Sequence, residues 1–264
     1  MHVRAGLTIA ALALALAPAA LAAPSSAIVS VKDLGTGSGE VWAVLPERPP
    51  QCIVVYVHSA GDLSPARYLG WLDYLAISKK CAVVFPRYQA AATGPAPAAD
   101  LPALRKGLSV GLKYVETVAY GLGENHAAPN LPVIAAGVGY GGTLAFYYAA
   151  YAKAWGLPVP VSVDSMFPVA GARAGVPKTP LAPSTDVLIQ VGDRDRAGGK
   201  PAGQTLWKYL ASHAAAKKRY VVVHSTGSLA AVSGAPVKST SGAENTFWPP
   251  LDRFIDSASA AAGY

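Results

Sequence analysis

Between Leu131 and Ala150 the chain reads LPVIAAGVGYGGTLAFYYAA. The apolar run Val133-Ile134-Ala135-Ala136 predicts a buried strand, the four glycines of GVGYGG a sharp turn, and Thr143 to Ala150 a helix folded back onto the strand. Strand, tight turn and helix in that order is the geometry with which G-x-S-x-G lifts a serine hydroxyl into position for attack on an acyl carbon. At the tip of this turn stands Gly139, which offers no hydroxyl. Serine attack also needs an imidazole to take the proton. The histidines beyond the amino terminus are His58, His126, His213 and His224.

His58 ends a strand next to Ser59, and adjacent strand residues point to opposite faces, so the pair does not read as base and nucleophile. Ser59 remains a conceivable displaced nucleophile. His224, at the end of the last expected strand, predicts a buried, hydrogen-bonded imidazole. His126 and His213 fall on a loop and a helix surface, where solvation is expected. Asp62 and His58 would be two metal ligands without a third, so no metal site is expected. The glycine run lacks the lysine of a phosphate-binding loop and does not match G-x-G-x-x-G. No cofactor is implied.

The elements that must position these residues follow in order. Ala27 to Val31 and Glu40 to Leu45 predict an antiparallel ribbon around the Gly35–Gly39 turn. Cys52 to His58 and Cys81 to Phe85 are continuous apolar runs, as in parallel strands covered on both faces. Between them Ser64-Pro65 opens a helix with Leu69, Trp71, Leu72, Leu75 and Ala76 inward. After an alanine-, proline- and glycine-rich loop, Asp100 caps a helix carrying Leu104, Leu108, Leu112, Val115 and Ala119 at helical spacing. Beyond the glycine turn, strands are expected within Val159–Val169, at Asp186–Val191 and at Tyr220–His224. Helices are expected at Pro201–Ala215 and Phe247–Ala262. Strands alternating with helices predict a mostly parallel sheet with helices on both faces.

The amino terminus has a basic start (His2, Arg4), an apolar run from Ala5 to Leu16 and the small-residue site Ala20-Leu21-Ala22. This pattern predicts a signal peptide over 1–22, with a membrane anchor as the alternative reading of the same run. One domain, 23–264, then remains, and export to a periplasm or beyond the cell is expected. The formal net charge is +7. The basic residues are scattered (Lys79-Lys80, Arg105-Lys106, Lys217-Lys218-Arg219) rather than gathered with aromatics, which argues against a nucleic-acid partner. No later segment reads as a stable membrane insertion. Cys52 and Cys81 open two apolar strands; level with one another, they form a disulfide in an oxidising compartment, or stand as a pair of free buried thiols.

With these elements placed, the chain resembles an α/β hydrolase from end to end. More narrowly, it is similar to the small exported serine hydrolases of the esterase, lipase and cutinase type. YVHSAG stands where that family has the His-Gly turn that supplies part of the oxyanion hole. SPARYLGWLDYLA and VVFPRYQ are similar to its first helix and following strand, and GVGYGG replaces G-x-S-x-G-G. VLIQVGDRDRAGG resembles the stretch that carries the acidic triad residue, which implies Asp195. SLAAVSGAP resembles the loop that presents the histidine, which places Ser233 there. The family order of serine, acid and histidine is here Gly139, Asp195 and Ser233.

Glycine cannot attack, and serine has no useful proton affinity near neutral pH. The resemblance thus implies an α/β-hydrolase fold without the usual mechanism. The stretch between Ala170 and Thr185 leaves little room for a cap domain. Asp195, with no histidine to orient, is expected to accept hydrogen bonds within its turn or to pair with Arg194 or Arg196. The leading expectation is an exported, non-catalytic protein with a groove lined by Ser59, Tyr140 and residues near Ser233. Such a groove would take an ester-like, lipid or polymer fragment, or a protein partner. The rival is an active carboxylic-ester hydrolase rearranged around Ser59.

Overall fold

A computed structural model describes residues 30–118, 131–169, 175–195 and 199–264. The expected signal peptide, His126, Arg196 and the first residues of the stretch after Val169 lie outside them. Eight strands form one sheet: β1 (Ser30–Leu34), β2 (Val41–Leu45), β3 (Cys52–Val57), β4 (Cys81–Pro86), β5 (Val133–Val138), β6 (Ser162–Met166), β7 (Asp186–Gly192) and β8 (Lys218–Val223). Their spatial order is β1-β2-β4-β3-β5-β6-β7-β8. The ribbon β1–β2 is antiparallel and meets β4 antiparallel; every pair from β4–β3 onward is parallel.

The helices are α1 (Leu69–Ile77), α2 (Pro97–Lys113), α3 (Tyr140–Trp155), α4 (Gly199–Tyr209) and α5 (Ser241–Ala262). Side-chain alternation along the strands sorts the interior into two layers. Val55, Val57 and Ala135 face α2 and α3, where Leu104, Leu108, Leu144 and Phe146 meet them. Val54, Tyr56, Ile134 and Ala136 face α1 and α5, where Trp71, Leu75, Phe247 and Leu251 close the core. All six residues of β3, β4 and β5 are buried, which explains their unbroken apolar sequence.

Cys52 and Cys81 are register partners at the start of β3 and β4 and form a disulfide; both are fully buried. Of the two readings of these cysteines, the bridge is correct.

Several boundaries differ from expectation. A short 3-10 turn, Pro65–Arg67, precedes α1, and Leu69 is turned to solvent. Helix α2 begins at Pro97, so Asp100 lies inside its first turn and accepts from the Ala96 N–H at 2.6 Å. Helix α5 starts at Ser241, where the Thr240 hydroxyl accepts from the Ala243 N–H. Helix α4 stops at Tyr209, and His213 beyond it is half-buried with Nε2 2.8 Å from the Thr185 carbonyl oxygen. His213 is therefore held by the backbone rather than solvated.

Among the described residues, no helix is long and apolar enough to cross a membrane.

Candidate functional site

The turn between β5 and α3 is built by close approach. A Cβ at Gly137 would overlap the Gly141 carbonyl, and one at Gly141 would overlap the carbonyls of Val57 and His58. Strand, helix and the end of β3 therefore pack backbone to backbone, and only glycine allows it. Gly139, at the tip, has φ 60° and ψ −128°, a conformation side-chain-bearing residues rarely adopt. Its N–H donates to the Met166 carbonyl (2.9 Å), which ties the tip to the end of β6. The strained elbow geometry is present with glycine in it.

What occupies the side-chain space at the tip is Ser59. A Cβ built on Gly139 would overlap Ser59 Oγ and stand 3.2 Å from Ser59 Cβ. The loop after β3 places its own hydroxyl over the elbow, in the volume a residue-139 side chain would need. That loop is held by side chains. The Ser59 N–H donates to the Tyr68 hydroxyl (2.9 Å), which donates to Asp62 Oδ2 (2.6 Å). Arg67 donates to Asp62 Oδ1 (2.6 Å), and the Gly61 N–H donates to Gln89 Oε1 (2.8 Å). Two N–H groups of the loop that the resemblance links to oxyanion binding are thus already committed to side chains. Burial, then the bond to Asp62, holds the Tyr68 phenol protonated far above its ordinary range.

His58 offers this hydroxyl no base. Its ring is fully buried between Tyr88 (centroids 4.1 Å apart) and Phe85 (5.4 Å). Nδ1 lies 2.7 Å from the Ser59 carbonyl oxygen, so Nδ1 carries the proton and donates. Nε2 is buried without a hydrogen-bond partner among the described residues. Burial, the largest influence, lowers its pKa to about 4, which keeps the ring neutral. Asp62 is engaged by Arg67 and Tyr68, so it does not pair with His58 as a metal ligand would; no metal-binding cluster occurs among the described residues.

Of the remaining expected residues, Asp195 and Ser233 follow the carboxyl ends of β7 and β8, and Tyr140 opens α3. Asp195 is half-buried against Gly199, where any Cβ would overlap its carboxylate. Ser233 is half-buried in the loop between β8 and α5. Tyr140 is 1% exposed and packs edge-on against Tyr88 with its hydroxyl beside Asp100. It belongs to the packed α2 side of the sheet, not to an open groove.

His224 corrects an expectation: its side chain is 77% exposed, with Nδ1 3.6 Å from Asp193 Oδ2. β8 is the last strand of the sheet, so nothing beyond it covers the ring. Asp193 itself accepts from the Ser225 hydroxyl (2.6 Å) and N–H (3.0 Å), which lower its pKa and tie the ends of β7 and β8 together. Sequence reasoning missed the Asp62–Tyr68–Ser59 network; the only signal was the polar density of SAGDLSPARY.

No family profile and no curated protein matches the chain. Solved structures do. An esterase, LipW, from Mycobacterium marinum superposes with a TM-score of 0.64 at 18% identity over 90% of this chain and 84% of its own. Carboxyl esterase 2 from the mycorrhizal fungus Tuber melanosporum gives 0.62 at 15% identity over 89% of each chain. An alpha/beta hydrolase enzyme from a Medee basin deep-sea metagenome library gives 0.62 at 14% identity over 88% of this chain and 98% of its own. The chain has the α/β-hydrolase fold. At these identities the likeness speaks to architecture alone, and in this chain the elbow of that architecture ends in Gly139.

Proposed function

We propose that this protein is an exported, non-catalytic α/β-hydrolase-fold protein that binds an ester-bearing lipid or polymer fragment without cleaving it. The observation that carries the reading is the placement of Ser59 over Gly139: the elbow tip has no side chain, and a neighbouring hydroxyl fills the gap. Three features support it. Position 233 is a serine, the neutral His58 imidazole is locked in an aromatic sandwich, and Ser59 and Gly61 have given their N–H groups to Tyr68 and Gln89. A bound ester carbonyl would then meet a hydroxyl that nothing deprotonates. The buried disulfide fits an oxidising compartment and supports export.

The same observation gives the rival reading its only foothold, because Ser59 Oγ stands close to where an elbow nucleophile would. A fluorophosphonate probe separates the two. The expected result is no covalent labelling of the intact protein at probe excess. Stoichiometric labelling at Ser59 that disappears in Ser59→Ala would establish the rearranged hydrolase instead. Export is checked separately by amino-terminal sequencing of secreted material, which should begin at Ala23.

A further inference from the structure

Between α5 and strands β6 to β8 the helix–sheet packing leaves open space whose walls mix charged and polar side chains with apolar ones. Two adjoining cavities, of about 590 and 310 Å³, share Arg219 of β8 and Arg253 of α5 as common walls. Both arginines are exposed, and neither forms an ion pair or side-chain hydrogen bond with a described residue. The carboxylate on the wall, Asp186, is matched by Lys217 at 3.0 Å, so the two guanidinium charges stand in excess.

Behind them lie buried polar groups without full partners. Ser162, 2% exposed, lines the larger cavity with a hydroxyl that has no hydrogen-bond partner among the described residues. Gln190, equally buried, lines the smaller one and donates to Asp164 Oδ1 at 2.9 Å. Asp164 Oδ2 has no hydrogen-bond partner among the described residues. Asp164, Leu188 and Arg219 form one cross-strand row, so carboxyl and guanidinium stand two strands apart, about 10 Å. Unsatisfied buried oxygens are costly and call for a ligand or water to complete them.

We propose that this cleft is a binding site for a small hydroxyl-bearing anion, a sugar phosphate or sugar acid. Its anionic group is clamped by Arg219 and Arg253, and its hydroxyls reach Ser162 and Gln190, the latter held from behind by Asp164. Planar guanidinium forks suit the two-oxygen face of a phosphate or carboxylate. The donor–acceptor set behind them suits hydroxyls rather than a second charge. Burial, its largest influence, pushes the Asp164 carboxyl up to about 7, so near neutral pH it is protonated about half the time. The larger cavity opens along the start of β6 and β7 (Val161, Ser184, Asp186), at the opposite end of the parallel strands from Gly139, and the smaller one runs on to Val223 and His224 at the carboxyl end of β8. The groups that would hold the ligand, Arg219, Arg253, Ser162 and Gln190, are none of those the function proposed above uses.

Calorimetric titration of the folded protein with glucose 6-phosphate, gluconate and inorganic phosphate tests this directly. One equivalent of glucose 6-phosphate or gluconate should bind, and the tighter of the two identifies the anionic group. Arg219→Gln and Arg253→Gln, both at exposed positions, should each weaken it about tenfold or more with unchanged thermal melts. Ser162→Ala should weaken the hydroxylated probes and leave inorganic phosphate unaffected. No saturable binding of any probe up to about 10 mM, or binding that survives both arginine substitutions, overturns the site. Inorganic phosphate binding as tightly as glucose 6-phosphate overturns the hydroxyl-bearing ligand.

Discussion

Gly139 and Ser59 are eighty residues apart in sequence and share one side-chain volume. Restoring the hydroxyl at the elbow by Gly139→Ser alone therefore places a Cβ into Ser59 on a backbone with positive φ. Overpacking of this kind costs about 1–3 kcal/mol, with backbone strain of similar size available on top. The expected outcome is a lower denaturation midpoint for Gly139→Ser and recovery of part of the loss in Gly139→Ser/Ser59→Gly. A double-mutant cycle measures the coupling directly; additive effects would show that the two side chains do not compete. The activity test follows from the same geometry. Gly139→Ser with Ser233→His should hydrolyse p-nitrophenyl acetate detectably only when Ser59→Gly also vacates the tip. No activity in the triple variant would mean that the committed N–H groups of Ser59 and Gly61 leave no oxyanion hole to rebuild.

At the scale of elements, the buried strands were the most legible part. β3, β4, β5 and β7 are covered on both faces, so their sequences are nearly unbroken apolar runs that can be mistaken for little else. Helix starts were less legible, because caps are local and polar: α5 begins six residues before Phe247, along a stretch whose outward side chains carry no apolar signal. Of the candidate site, the missing nucleophile could be read from GVGYGG alone. The filling of its space could not, since that depends on how closely the loop after β3 approaches the elbow. His224 failed as a buried residue for a topological reason: the last strand in sequence is also the sheet edge.

The paired strand starts make their own prediction. Cys52 and Cys81 close a loop of 29 residues between adjacent parallel strands in register. Replacing both by serine should lower stability by about 3–4 kcal/mol by chain entropy alone. Urea titrations of the oxidised and doubly substituted proteins measure the difference. A loss much below that would place residual structure in the unfolded chain.

Across the whole molecule, two buried ionisable groups act against each other. His58 is held neutral with a pKa of about 4, below its ordinary 6.5, by burial against Phe85 and Tyr88, with Asp62 and Arg87 nearby. The unfolded chain binds the extra proton between those values, so the stability due to a neutral His58 is present above pH 6.5 and lost as pH falls toward 4. Its full size is about 3 kcal/mol. Asp164 is raised from 3.8 to about 7 by burial, against which the hydrogen bond from Gln190 of β7 and the charges of Arg253 of α5 and Arg219 of β8 pull it down; the neutral Tyr56 phenol of β3 faces it as well. Here the native state binds the extra proton, so stability is highest below pH 3.8 and declines as pH rises to 7, by about 4 kcal/mol in full. Between pH 4 and 6.5 the two slopes oppose, and the wild-type profile should be shallow with respect to these groups. Each substitution should expose the other. Asp164→Asn should show stability rising steadily from pH 4 to 6.5 and exceed wild type at pH 8 by about 2–4 kcal/mol. His58→Gln, whatever its absolute loss of packing, should show stability falling through the same window until pH 7. Chemical denaturation at half-unit pH steps reads both slopes. Parallel profiles for wild type and Asp164→Asn would mean that Asp164 has the same pKa folded and unfolded, its burial fully offset by Gln190, Arg253 and Arg219.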